Sequence, residues 1–171
     1  MTLQKKQILE LSNKSPELHR RYLQEAINVA ENCKDVDWYG VGCVIVNSAG
    51  SIISTGFTGE IIEEGTMRHA EDVALAKGTA AGTDFSQKGL ILYATLEPCS
   101  IRASGKTPCC HYIIDSGIKS VVYGAKEPFD EKLGVICEGD AVLIKAGVTT
   151  TFVKEMESQC LTSIVSKRKS S

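Results

Sequence analysis

The stretch Leu90-Ile91-Leu92-Tyr93-Ala94-Thr95 constrains the fold more than any other. It is a short apolar run, the length of a strand rather than of a helix. Successive side chains on a strand point to opposite sheet faces, so a nearly continuous apolar strand needs cover on both. Strands of that kind sit inside sheets with helices packed above and below. The surrounding sequence supplies such helices.

Ser15-Pro16-Glu17 is a helix start, a capping side chain followed by proline in the first turn. Leu18, Tyr22, Leu23, Ala26, Ile27 and Ala30 then recur at three- and four-residue steps, which predicts an amphipathic helix over 16–33. Val41–Val46 and Ser51–Phe57, joined by the turn Asn47-Ser48-Ala49-Gly50, predict a hairpin. Helical spacing returns over 68–81, in Pro108–Ser116 ahead of Gly117, and in Ile136–Ala146 ahead of Gly147. Lys119–Tyr123 and Val148–Val153 predict two more strands. The order α-β-β-α-β-α-β-α-β implies a three-layer α-β-α sandwich around a five-stranded mixed sheet. Residues 1–15 are expected to be a lead-in, 16–160 the folded domain, and 161–171 a polar basic tail.

The 171 residues are enough to bury a core without disulfides. Nineteen Lys and Arg against 21 Asp and Glu give a net charge of −2, which lacks the basic surplus usual for nucleic-acid binding. No apolar run approaches the length of a membrane span, and no apolar signal-peptide core follows Met1. The chain is therefore expected in the cytoplasm or nucleus, with no nucleic-acid or membrane partner. Seven cysteines in a reducing compartment are read as core fillers, metal ligands or nucleophiles.

Three places carry chemistry. They are His69-Ala70-Glu71 at a helix start, Glu97-Pro98-Cys99 after the apolar strand, and Pro108-Cys109-Cys110 at the next helix start. One His and two Cys suit a catalytic zinc site that keeps a fourth position open. Cysteines at a helix N-terminus have a lowered thiol pKa, which favours the thiolate that zinc requires. Glutamate two residues after the histidine is placed to face that open position. Each motif alone is weak; together and in order they make the signature of zinc deaminases.

The spacing narrows the resemblance. Three residues after Cys99, where the generic signature has its second cysteine, stands Arg102; the next cysteine is Cys109. Thr95-Leu96-Glu97-Pro98-Cys99-Ser100, then Gly105-Lys106-Thr107-Pro108-Cys109, resembles the pyrimidine deaminases of riboflavin biosynthesis, within the cytidine-deaminase-like superfamily. Val41–Val46 resembles their first strand, and His69-Ala70-Glu71 their zinc helix. The chain departs from the bacterial form in three ways. Trp38-Tyr39 stands where an Asn-Pro pair is usual, Asp72-Val73-Ala74 follows the glutamate in place of a second histidine, and the inter-cysteine loop is one residue longer. These departures resemble the fungal branch, which implies a ribityl rather than a ribosyl substrate. The chain is also too short for the reductase domain that bacterial members often carry.

The resemblance implies zinc held by His69, Cys99 and Cys109, with Glu71 as the catalytic proton carrier. Cys110 is the competing third ligand when the loop is aligned from Gly-Lys-Thr-Pro. The substrate implied is a 2,5-diamino-6-(ribitylamino)pyrimidin-4-one 5′-phosphate, which loses its 2-amino group. Arg102, Ser104, Gly105 and Lys106 are the candidates for its phosphate, and a homodimer is expected. Cys33, Cys43, Cys137 and Cys160 are read as core residues and His19 as a surface residue. Three alternatives stay open: the same chemistry on the ribosylamino form or on another nucleoside or nucleotide base, a non-catalytic zinc-binding partner subunit, and a redox protein using Cys109-Cys110.

Overall fold

The structure is a computed structural model, and it describes residues 15–33, 39–61, 69–102, 104–127, 134 and 136–165. The expected lead-in as far as residue 14, the expected tail beyond residue 165, Trp38 and Ala103 lie outside the described residues.

Helix α1 is Pro16–Ala30, with the Ser15 side chain accepting a hydrogen bond from the Leu18 N–H, as the capping pattern predicts. The hairpin is β1 (Gly42–Val46) and β2 (Ile52–Phe57), antiparallel. Asn47 holds its turn, accepting from the Ala49 and Ser51 N–H groups. Helix α2 is Ala70–Ala80, and the apolar stretch forms β3 (Ile91–Leu96). Then come α3 (Cys109–Ser116), β4 (Ser120–Ala125), α4 (Gly139–Lys145), β5 (Thr149–Phe152), a 3-10 turn at Lys154–Met156 and α5 (Glu157–Val165).

One sheet has the order β2-β1-β3-β4-β5. β1 runs antiparallel to both neighbours, whereas β3, β4 and β5 are parallel and joined through α3 and α4. Helices α1 and α5 pack on one face, and α2, α3 and α4 on the other. β3 sits at the centre and is buried on both sides, with Leu92, Tyr93 and Ala94 fully inaccessible. The expected three-layer α/β sandwich with a five-stranded mixed sheet is the observed fold. Among the described residues no helix is long and apolar enough to cross a membrane.

Three local expectations need correction. The helix expected from Ile136 begins at Gly139, because the residue before it, Glu138, has φ −119° and ψ 36°, outside the helical range. The domain boundary at 160 falls inside α5, where Cys160 and Ile164 are fully buried against the sheet, so the packed unit runs through this helix. His19 is not on the surface. It lies buried under α1, its Nδ1 3.1 Å from the Tyr93 hydroxyl of β3, which gives the ring a polar partner inside the core.

Candidate metal and catalytic site

The site forms where β3 ends and two helices begin. His69 is the N-cap of α2, and Glu71 sits in that helix's first turn with 3% exposure. Cys99 lies three residues beyond β3, and Cys109 is the first residue of α3. The three possible ligand atoms of His69, Cys99 and Cys109 all lie within 4.8 Å of one another. His69 Nδ1 is 3.5 Å from Cys99 Sγ and 3.3 Å from Cys109 Sγ. A tetrahedral zinc with ordinary Zn–S and Zn–N bonds separates its nitrogen and sulfur ligands by about 3.6 Å. The observed spacings match that edge, so these three residues fit zinc as they stand. Cys109 Sγ also lies 3.3 Å from Glu71 Oε2, which puts the carboxyl beside the cluster.

Cys110 does not join them. Its Sγ turns to the backbone carbonyls of Pro98 (3.2 Å) and Gly139 (3.5 Å), and burial pushes its thiol up. His111 is exposed on α3. Cys33, Cys43 and Cys160 are buried core residues, whereas Cys137 is only half-buried and borders the site, its Sγ 3.4 Å from the Ser100 N–H.

The electrostatics are those of a cation site. A hydrogen bond from Cys109 does most to bring the Cys99 thiol down to about 4; burial opposes it and His69 assists. The Cys109 N–H at the start of α3 also donates to Cys99 Sγ at 3.3 Å, as expected of a helix N-terminus facing an anion. Burial pushes Cys109 itself well up, reinforced by the neighbouring Cys99 and Glu71. Burial works against the charged imidazole of His69, yet the Cys99 thiolate and Glu71 outweigh it and hold the ring's pKa above its usual value. Glu71 is pushed up, first by burial and then by Cys99. It therefore holds a proton more readily than an ordinary carboxylate does.

The segment Glu97–Ser100 is braced by α4. Glu97 Oε1 accepts the Asp140 N–H at 2.9 Å, and Ser100 Oγ accepts the Glu138 N–H at 3.0 Å. Glu97 Oε2 pairs with Lys126 at 3.7 Å, and Lys126 also reaches Asp140 at 3.3 Å. Sequence reasoning found the glutamate before Pro98 but not this role, which depends on a helix forty residues away.

The phosphate candidates separate. Ser104, Gly105 and Lys106 are exposed on a tight turn, in which the Gly105 N–H donates to the Arg102 carbonyl at 3.0 Å and Gly105 has φ 71°. Arg102 is not with them. It is 9% exposed, and its guanidinium points inward to Cys109 and Asp72, which give the buried cation polar partners. The sequence also gave no warning of Glu127, just after β4. Its Oε2 is buried without a partner, and burial foremost pushes its carboxyl up to about 7, with Cys99 and Glu71 adding to the effect. The only sequence signal is its place at the C-terminal end of a buried parallel strand, where such sheets bind ligands.

The chain is 37% identical over 147 residues to the diaminohydroxyphosphoribosylamino-pyrimidine deaminase of Schizosaccharomyces pombe, covering 85% of this chain and 35% of that protein. The chain thus spans about a third of that relative's length. It is 32% identical over 120 residues to a tRNA-specific adenosine deaminase of Haemophilus influenzae, covering 70% of this chain and 64% of that one. Among solved structures, the Aspergillus oryzae Rib2 deaminase in complex with DARIPP superposes with a TM-score of 0.74 at 29% identity, over 91% of this chain and 93% of that one. Residues 16–125, which carry every ligand and carboxylate just described except Glu127 and α4, match the cytidine and deoxycytidylate deaminase zinc-binding region, and the chain belongs to that family.

Proposed function

We propose that this chain is a zinc-dependent hydrolytic deaminase that removes the 2-amino group of a 2,5-diamino-6-(ribitylamino)pyrimidin-4-one 5′-phosphate. The observation that carries the reading is the convergence of His69, Cys99 and Cys109 with the buried Glu71 carboxyl beside them. Similarity to riboflavin-biosynthesis deaminases, fungal ones among them, supports the substrate class.

His69, Cys99 and Cys109 would hold the metal. Zinc, when bound, supplies the Lewis acidity that makes water nucleophilic near neutral pH. Glu71 takes a proton from the attacking water and passes it to the ring nitrogen beside C2. Glu71 then takes the second proton, from the hydroxyl added at C2, and gives it to the amine as the C2–N bond breaks, so that ammonia leaves and C2 becomes a carbonyl. A carboxyl whose pKa burial has raised holds a proton more readily than an ordinary carboxylate, which suits it to carry protons in both transfers. Its 3% exposure keeps bulk water from competing for that proton. Glu127, with a buried oxygen in want of a donor, is suited to accept N–H groups on the ring edge. Lys106, with the Ser104-Gly105 turn, is the candidate for the 5′-phosphate.

The reading includes a homodimer working in the cytoplasm. All the described cysteines are free thiols, which agrees with a reducing compartment. Ile101 and Ile136, 47% and 67% exposed, are close in sequence to the bonded pair Ser100 and Glu138 and offer apolar surface to a second copy.

The test is an assay of zinc-loaded protein with the ribityl and ribosyl diaminopyrimidinone 5′-phosphates offered separately, following ammonia release and product mass. Turnover of the ribityl form, lost in Glu71→Gln with zinc retained, is the expected result. Turnover of the ribosyl form alone would keep the chemistry and overturn the substrate. Turnover of neither, with zinc bound, would overturn the substrate class.

A further inference from the structure

We propose that Arg102 is a positioning residue for the metal site: it bridges Asp72 to Cys109 and holds that sulfur in register with His69. The inference rests on the zinc reading of the His69–Cys99–Cys109 cluster.

Arg102 Nη2 donates to Cys109 Sγ at 3.6 Å, and Nη1 lies 3.9 Å from Asp72 Oδ2. Both side chains are nearly inaccessible, at 4% for Arg102 and 10% for Asp72. The guanidinium carbon stands 5.8 Å over the Tyr112 ring of α3. Nε is buried and has no hydrogen-bond partner. A buried guanidinium with an unsatisfied N–H is costly, and such a group persists where a charge partner compensates it. Two partners are on hand. Asp72 follows Glu71 on α2, and Cys109 opens α3, so Arg102 ties together the two helices that carry the ligands.

The arrangement has a chemical consequence. Hydrogen bonds to ligating atoms orient them and tune how much charge they give the metal. A guanidinium on Cys109 withdraws charge from that sulfur, leaving the metal a stronger Lewis acid than two unassisted thiolates would. Only a forked side chain spans the sulfur and the carboxylate together; an ammonium is a single point charge. Arg102 stands three residues after Cys99, the slot where the generic deaminase signature carries a ligating cysteine. Here that slot serves the sulfur of the later cysteine.

The experiment compares wild type, Arg102→Met and Arg102→Lys. Metal affinity is read by competition against a chelator. The thiolate-to-cobalt charge-transfer band is recorded on the Co²⁺-substituted proteins, and thermal melting is followed alongside. Arg102→Met, which keeps the stem's bulk, is expected to lose on the order of 10- to 100-fold in affinity and to shift the cobalt band. Arg102→Lys is expected to regain the melting temperature but only part of the affinity. If Arg102→Met does not fold, Asp72→Asn, which releases the guanidinium from its anchor, is expected to shift the band in the same direction. Unchanged affinity and an unchanged band would overturn the proposal. So would a rise in KM alone, which would assign Arg102 to the substrate instead. A wild-type protein that binds no metal would overturn the zinc reading itself, an outcome distinct from equal binding by all variants.

Discussion

Replacing Gly139 by alanine tests whether α4 holds the metal loop in place. Gly139 is the first residue of α4, and a methyl group there would collide with the Pro98 carbonyl oxygen and lie 3.2 Å from Cys110 Sγ. Neither neighbour is the loose end of a flexible chain. The Pro98 carbonyl already accepts from Cys110, and Pro98 adjoins the ligand Cys99. The helix is pinned on the same segment by the Glu97–Asp140 and Ser100–Glu138 hydrogen bonds, so it cannot tilt away without breaking them. Overpacking of a rigid site costs about 1–3 kcal/mol, and these constraints put Gly139→Ala near 3. At roughly 2–4 °C per kcal/mol for a domain of this size, melting should fall by about 6–12 °C. Displacing Pro98 moves Cys99, so zinc affinity should fall on the order of tenfold or more. Gly82→Ala is the control: that glycine has φ +78° with nothing within 4 Å, so alanine strains the backbone but touches no neighbour. It should melt lower by a few degrees, about 1–2 kcal/mol, and bind zinc as wild type does. The assay is a thermal melt of the metal-free proteins with chelator competition on each. Gly139→Ala with the affinity of Gly82→Ala would refute the bracing argument, whatever its melting temperature.

Three further outcomes follow from the same geometry. Cys109→Ser should abolish tight zinc binding while Cys110→Ser keeps it, read as bound metal per chain; the reverse would move the ligand to Cys110. Apparent zinc affinity should rise with pH through neutrality. The Cys109 thiol, raised by burial, must give up its proton to ligate, whereas Cys99 at about 4 has already done so. About tenfold per pH unit for each proton released is expected, and a pH-independent affinity would contradict it. Burial holds the His19 pKa below its usual value, so above the usual histidine range folded and unfolded chains carry the same charge there. As pH falls through that range the unfolded chain takes a proton the folded one resists, and stability drops until the folded pKa is passed. His19→Gln should remove that part of the acid sensitivity in denaturant melts followed from pH 7.5 to 5.

The apolar run of β3 and the glycine-ended helices made the sandwich readable, because each element's periodicity is set by its own burial. His69, Glu71 and Cys99 were readable for a related reason: each sits where an element begins or ends, and local sequence places it. Arg102 was not. Its position in the loop suggested a phosphate contact, but the side chain turns inward to Cys109 and Asp72, and sequence spacing holds no record of that direction. His19 fails in the same way. A histidine on an amphipathic helix is surface by default, and the polar partner that makes its burial tolerable, the Tyr93 hydroxyl, lies seventy-four residues on. Glu127 just follows β4 and Cys137 just precedes α4; beyond Glu127's place at a strand end, nothing in the local sequence marks either for the site.

The chain's resemblance motif therefore performs two separate tasks within one hexapeptide. In Thr95–Ser100, only Cys99 reaches the ligand cluster. The Thr95 hydroxyl accepts the Gly42 N–H at 3.1 Å, which closes the end of the β1–β3 ladder. Glu97 and Ser100 occupy the first N–H groups of α4, and Pro98 offers its carbonyl to Cys110. Replacing Glu97 by alanine would leave the Asp140 N–H of α4 without its acceptor and Lys126 with Asp140 as its remaining acidic contact. Most of the motif is thus devoted to fixing one sulfur atom relative to two helix starts. Its recognisability in sequence reflects the tightness of that packing as much as the chemistry of the metal.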